Sequence, residues 1–358
     1  MSAASGQAGR ILVTGGAGFI GSALVRELLR STSASVVSVD ALTYAGSADS
    51  LADLPSPARH VLEVVDIRDA RTLAEVFRRH RPQAVMHLAA ETHVDRSIAG
   101  PSAFVHTNVL GTFTVLEVVR DYLSTLGDDA RAAFRFLQVS TDEVYGDVAP
   151  EEAPRREGDV FHPGSPYSAS KAAADHLLQA WHRTYGLPVL VTRCSNNVGP
   201  RQYPEKLIPL CIQRALSGQT LPLFGDGLQL RDWLHVDDHA RALRLVLEQG
   251  VAGQVYHVSS GESRSNLEVV TLICALLDEL APQRRPDHLA HFAELIRHVA
   301  DRPGHDRRYA LDSSRLRSEL GWRPQHDFAD AMRQTVRWYL ENPDWSARML
   351  ARQTGCPA

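Results

Sequence analysis

Tyr167 and Lys171 stand four residues apart in the run Tyr167-Ser168-Ala169-Ser170-Lys171. On a helix that spacing places both side chains on one face, one turn apart. An ammonium beside a phenol favours the phenolate, and is expected to lower its pKa from about 10 toward working pH. Such a tyrosine can take a proton from a hydroxyl while hydride leaves the same carbon. A second cluster is Val139-Ser140-Thr141-Asp142-Glu143-Val144-Tyr145-Gly146. Thr141 is placed to hydrogen-bond a reacting oxygen. Two neighbouring carboxylates cost desolvation if both are buried. Surroundings that split their pKa values would leave one a protonated acid and the other a charged base. That pair suits elimination of water across a carbon–carbon bond. Read alone, a Tyr–Lys spacing arises by chance, and Asp142–Glu143 could be a solvated acidic turn.

Lysine usage adds weight. Lys171 and Lys206 are the chain's only lysines, arginine supplying every other basic residue. A coding bias toward arginine explains the scarcity. A lysine that survives it marks a place where a compact, tunable ammonium is needed.

These residues need a scaffold, and the first half of the chain predicts one. Strands are expected at Arg10–Thr14, Val36–Asp40, Val61–Val65, Ala84–Leu88, Phe134–Ser140 and Val189–Arg193, with helices at Phe19–Arg30, Ala70–Arg79, Ser102–Leu126 and Pro166–Tyr185. Strand–helix alternation of this kind gives an α/β fold, a doubly wound parallel sheet of Rossmann type. Ser165 and Pro166 form a good cap and first turn for the Tyr–Lys helix. After Asn197 the rhythm breaks at Gly199-Pro200, and a strand at Gln254–Ser259 is expected to return to the sheet. The predicted division is a disordered tail at 1–9, a dinucleotide-binding domain at 10–197 plus about 235–260, and a smaller α/β substrate-binding domain at 198–234 plus 261–358.

Gly15, Gly18 and Gly21, with Phe19 and Ile20, join the first strand to the first helix. Glycines there permit a tight turn, let backbone N–H groups approach a pyrophosphate and allow close packing. Asp40 ends the second strand, where a carboxylate would hold a ribose 2′-hydroxyl and repel a 2′-phosphate. Ala41 and Leu42 offer no arginine to accept that phosphate, so NAD is expected rather than NADP. Asp66 and Ile67 follow the third strand, and Leu88, Ala89 and Ala90 the fourth, each at a strand's carboxyl end.

Composition excludes other classes. The chain has 358 residues, 44% of them hydrophobic and 22% charged, with a formal charge of −4. A nucleic-acid binder would carry a basic excess. No apolar run approaches the ~20 residues of a membrane span, and the start lacks a signal-peptide pattern. Cys194, Cys211, Cys274 and Cys356 form no metal or disulfide spacing, which suits a reducing cytoplasm. No metal-ligand set is expected; His288 and His291 on one helix face are the nearest approach to one. The helices Ser102–Leu126 and Pro166–Tyr185 carry apolar residues on more than one face, including Val105, Val109, Leu110, Phe113, Leu116 and Val119. Such helices want a second partner, and a homodimer through them is expected.

Together these segments resemble the dTDP-glucose 4,6-dehydratases of the extended short-chain dehydrogenase/reductase family. The likeness runs from the first strand to about Tyr339. It is carried by AAETHVDRSI from Ala89, STDEVYGD from Ser140, SPYSASKAAADH from Ser165, CSNNVGP from Cys194, PEKLIPL from Pro204, RDWLHVDDHARAL from Arg231 and DRPGHDRRYA from Asp301. The resemblance implies an NAD-dependent hydro-lyase of deoxysugar biosynthesis acting on dTDP-glucose. In it Tyr167 takes the sugar 4-hydroxyl proton, Lys171 supports Tyr167, Asp142 protonates the departing 6-hydroxyl and Glu143 removes the C5 proton. It further implies cofactor contacts at Leu42, Thr43, Thr107 and Asn197, and sugar-nucleotide contacts at Thr92, Asn196, Lys206, Leu207, Pro222, Phe224, Arg231, Asn266, Asp301 and His305. Phe224, Val198 and Ala41 depart from the family's usual tyrosine, tyrosine and lysine. A C4 epimerase or decarboxylase of the same superfamily would need the Tyr–Lys pair but not Asp142 and Glu143. An NAD-sensing scaffold would need neither pair.

Overall fold

The computed structural model describes residues 9–354. The expected tail, apart from Gly9, and Cys356 lie outside the described residues. Seven parallel strands form the main sheet: β1 (Arg10–Thr14), β2 (Ser35–Asp40), β3 (His60–Val64), β4 (Ala84–His87), β5 (Arg135–Thr141), β6 (Val189–Cys194) and β10 (Val255–Val258), in the order β10-β6-β5-β4-β1-β2-β3. The expected strand near 254–259 does return to this sheet, at its edge beside β6. The order reverses between β1 and β4, which opens a crevice at the strands' carboxyl ends. Chain order alone does not show that reversal.

Each face of the sheet buries its own core. Leu24, Leu28, Leu243 and Val246 pack on one side, and Leu73, Phe77, Val115 and Val119 on the other. A third cluster, with Ile208, Ile212, Val270, Ile273, Met332 and Val336, lies under the helices Leu207–Leu216, Asn266–Leu280 and Phe328–Glu341. Two small sheets accompany it: β7 (Asn196–Val198), β9 (Leu230–His235) and β11 (Ser263–Ser265) in one, β8 (Leu221–Phe224) and β12 (Ile296–Val299) in the other. Leu316 and Trp322, expected in the smaller unit, pack against the main sheet's core instead, and Trp322 Nε1 donates to the Asp238 carbonyl at 3.2 Å.

The helix expected at 102–126 runs Pro101–Ser124, and its centre, Val105–Gly111, is wound as a π-helix. By length and mean hydropathy (1.2) it could cross a membrane, yet polar residues interrupt every apolar run in it, as the sequence reading has it. Part of this helix is buried on the sheet through Val115, Leu116 and Val119, while Val105, Leu110 and Phe113 are 48%, 49% and 42% exposed. The Tyr–Lys helix spans Pro166–Tyr185, opened by Ser165 in a capping box with Ser168 and closed at Gly186 with φ 69°. Both ends carry the residues that helix termini favour.

Candidate active site

A cleft of about 510 Å³ lies over the carboxyl ends of β1, β2, β4 and β5 and is lined by the glycine turn, the acidic pair and the Tyr–Lys pair. The turn is shaped by necessity. Gly15 holds φ 70°, and a Cβ there would sit 2.7 Å from the Ala89 backbone nitrogen. Gly18 stands at the helix N-cap with no side-chain cap, so the first helical N–H groups remain available to an anion. Asp40 accepts from the backbone N–H of Ala17 (2.9 Å) and of Leu42 (2.8 Å). Burial pushes its carboxyl up while those two N–H groups pull it down. An anion-binding helix end beside a fixed carboxylate fits a dinucleotide's pyrophosphate and ribose.

All the residues expected to hold the cofactor line this cleft except Leu42. Leu42 takes φ 49°, and its side chain packs on the core beneath β1 and β2. Its carbonyl accepts from Arg352 Nη2 at 3.2 Å. An arginine from a distant segment thus stands near Asp40, although the residues next to it in sequence, Ala41 and Leu42, supply none. Arg352, from the helix Pro343–Thr354, acts electrostatically on the Asp40 carboxyl.

At the reacting end, Thr141 Oγ1 donates to Asp142 Oδ1 at 3.2 Å, and the same hydroxyl acts to lower the Tyr167 phenol. Asp142 is 4% exposed, and its Oδ2 has no hydrogen-bond partner among the described residues. Burial, then the neighbouring Glu143, drives its carboxyl well above the usual range. Burial also raises Glu143, but Arg231, Lys206 and Arg302 pull it back toward the carboxylate. Both carboxyls are raised, Asp142 the further, which is the order an acid and a base need.

Tyr167 behaves otherwise than its spacing predicts. Burial, then Glu143 and Cys194, pushes its phenol well above 10. The Lys171 ammonium donates to the Val139 carbonyl at 2.9 Å and is itself pushed down by burial. Shared helical face is a matter of spacing; where the ammonium points is decided by the strand it meets.

Thr92, Asn196 and Lys206 line the same cleft, with Lys206 Nζ donating to the Thr92 carbonyl at 2.9 Å. Leu207, Pro222, Phe224, Arg231, Asn266, Asp301 and His305 do not. Several of them gather elsewhere: Gln229 Nε2 donates to Asp301 at 3.2 Å and its Oε1 accepts from Asn266 at 3.4 Å, while the His305 ring stands 6.5 Å from Phe224. Arg231 lies over the Tyr309 ring at 4.2 Å and donates to the Asp306 carbonyl at 2.9 Å, fastening the loop after Asp301 beside Glu143. Leu207 and Pro222 lie on elements that pack elsewhere, one heading a helix and the other paired with Arg297 across β8 and β12.

Sequence reading missed Asn108. It lies in the π-helical turn, donates to Ser170 Oγ (2.8 Å) and the Glu91 carbonyl (2.9 Å), and accepts from the Glu91 N–H (2.8 Å). It ties the Tyr–Lys helix to the cleft wall. Only the π-turn, which no periodicity announces, brings it there. Cys194, Glu205 and Gln202 also line the cleft; Cys194 and Glu205 lie inside matched segments, which was the available signal, while Gln202 falls between two of them.

The whole chain answers to known proteins. The GDP-mannose 4,6 dehydratase family model matches residues 12–335. A dTDP-glucose 4,6-dehydratase from Shigella flexneri is 53% identical over 344 residues, 94% of this chain and 94% of that one. The chain belongs to the dTDP-glucose 4,6-dehydratase family. Another relative of that description, from Neisseria gonorrhoeae, is 55% identical over 93% of this chain and 96% of its own. A dTDP-glucose 4,6-dehydratase crystal structure from Streptomyces venezuelae with NAD bound superposes with a TM-score of 0.85 at 46% identity, covering 95% of this chain and 99% of that one. A UDP-glucose 4-epimerase from Thermotoga maritima shares the fold at 29% identity and TM-score 0.79, covering 93% and 99%. Dehydratase family members and the epimerase thus have one architecture.

Proposed function

We propose that this chain converts dTDP-glucose to dTDP-4-keto-6-deoxyglucose. The observation that carries the reading is the pair Asp142–Glu143 after Thr141, one buried and one half-buried beside Tyr167, with the first carboxyl driven far up and the rise of the second held back by Arg231 and Lys206. Bound NAD supplies the acceptor for hydride from sugar C4 and returns that hydride to C6. Tyr167 takes the 4-hydroxyl proton as its phenolate, a form that burial opposes and a neighbouring Lys171 ammonium favours. The resulting C4 carbonyl acidifies the C5 proton, which Glu143 removes. Asp142 gives its proton to the 6-hydroxyl, and water leaves across C5–C6. Glu143 then returns a proton to C5, and the proton that Tyr167 took replaces, by way of solvent, the one that Asp142 gave, so protons balance over the cycle. Arg231 and Lys206 suit a diphosphate by charge. The free, buried state of Cys194, Cys211 and Cys274 supports a cytoplasmic location.

The decisive assay supplies dTDP-glucose to pure protein without added NAD and identifies the product by mass and NMR. The 4-keto-6-deoxy sugar nucleotide is expected, because the cycle restores the cofactor it begins with. A 4-epimer would instead place the chain with the epimerases. In the same assay UDP-glucose should be poorer by no more than about 200-fold, since one methyl is worth ~1–3 kcal/mol in an apolar pocket and Phe224 lacks a hydroxyl.

We also propose a homodimer. Val105, Leu110 and Phe113 leave an apolar strip exposed on the long helix, and an apolar strip of that kind favours burial against a second surface. Leu110→Glu should sediment at half the mass of the parent protein; an unchanged mass would place the interface elsewhere or show a monomer.

A further inference from the structure

Asp175 follows Lys171 by four residues on the helix Pro166–Tyr185, so the Tyr167–Lys171 face continues one turn deeper. It is fully buried, at 0% exposure. Its Oδ2 accepts from Arg193 Nε at 2.9 Å, while its Oδ1 is buried without a hydrogen-bond partner among the described residues. Arg193, on β6 and 1% exposed, is held on its other side: Nη1 donates to the Tyr145 hydroxyl and, at 3.0 Å, to the Glu157 carbonyl. Its guanidinium also lies 4.5 Å over the Phe161 ring. The His257 Nε2 closes the group on the Tyr145 hydroxyl at 2.7 Å. None of these residues lines the cofactor cleft.

We propose that Asp175, fixed by Arg193, is a positioning residue whose carboxylate is the buried counter-charge that keeps Lys171 an ammonium. The proposal rests on the Tyr167–Lys171 reading above. A buried ion pair is weak evidence for stability, since apolar residues of like volume often serve as well. What singles this pair out is the unused Asp175 oxygen and the lysine one turn away. The other titratable groups around Lys171 cannot supply the charge. His87 on β4 is bonded to Thr14 (2.5 Å) and Thr112 (3.1 Å), and burial takes its pKa to about 3, leaving it neutral. The Cys194 thiol on β6 is pushed up by burial and stays a thiol at neutral pH. Burial presses Lys171 toward the free amine, and Asp175 acts against that pressure. A neutral lysine would give a developing phenolate at Tyr167 no charge support.

The two-lysine composition makes this measurable without turnover. Protein grown on lysine labelled with carbon-13 at Cε should show two lysine resonances, and Lys206→Arg assigns them. In Asp175→Asn the Lys171 titration midpoint should fall by about 1–3 pH units, the usual worth of a close opposite charge. Asp175→Glu, which restores the charge, should hold it near the parent value. Should Asp175→Asn alone fail to fold for want of a partner to Arg193, Asp175→Asn with Arg193→Gln offers a neutral hydrogen-bonding pair and should give the same downward shift. The alkaline limb of kcat should move down in step. A Lys171 midpoint unchanged in the folded variant, whatever happens to Tm, would reduce Asp175 to a structural staple and overturn the proposal. Because the titration uses neither substrate nor product, its failure would leave the assigned reaction standing, and failure of that reaction would leave the titration readable.

Discussion

Glu143→Gln should still oxidise dTDP-glucose at C4 yet scarcely release water. Glutamine keeps the shape of the side chain but cannot remove the C5 proton, so elimination should slow by about 10²–10⁴-fold, the usual contribution of a positioned base. Thr141, Tyr167 and Lys171 remain, so hydride should still leave C4 and the near-ultraviolet absorbance of reduced nicotinamide should build up on mixing. Exchange of the C5 proton with solvent should slow in parallel. A second effect follows from the electrostatics. Glu143 is, after burial, the largest influence raising the Tyr167 phenol. Removing that negative charge should bring the phenol's pKa down, so the oxidation step in Glu143→Gln should reach half its plateau at lower pH than in the parent. A variant that forms the 4-keto-6-deoxy product at the parent rate would show that another group is the base. One that gives neither product nor reduced nicotinamide would show that Glu143 serves substrate geometry instead.

Tyr167→Phe should fail one step earlier. The ring is buried and meets Phe104 edge-on at a centroid distance of 6.3 Å, a contact phenylalanine keeps. Fold and cofactor content should therefore survive. What is lost is the hydroxyl that accepts the sugar proton, and turnover should fall by about 10²–10⁴-fold. Here no reduced nicotinamide should appear on mixing, in contrast with Glu143→Gln. Rapid-mixing absorbance on the two variants therefore orders the steps. Accumulation of reduced nicotinamide in Tyr167→Phe would mean that another group, with the Asp142–Glu143 side of the cleft nearest, takes the first proton.

Much of this was already in the chain. The glycine turn, Asp40 at a strand's end, the cap at Ser165-Pro166 and the four-residue spacings are local features, fixed by backbone geometry within one turn or one strand. Such features read correctly from residue types because the partners that enforce them are close in sequence. The acidic pair belongs with them, since its strand delivers it to the cleft whatever lies opposite. The fold decided the charges. Tyr167 is raised rather than lowered because burial depends on what covers a group, and its Lys171 neighbour turns to the Val139 carbonyl. Arg352 reaches the loop after Asp40 from the far end of the chain, and Arg231 with the segment after Asp301 closes on Glu143. Asn108 enters the cleft wall only because the helix there is wound as a π-turn. Desolvation and long-range Coulomb terms are properties of packed neighbours, and those neighbours exist only once distant segments have met.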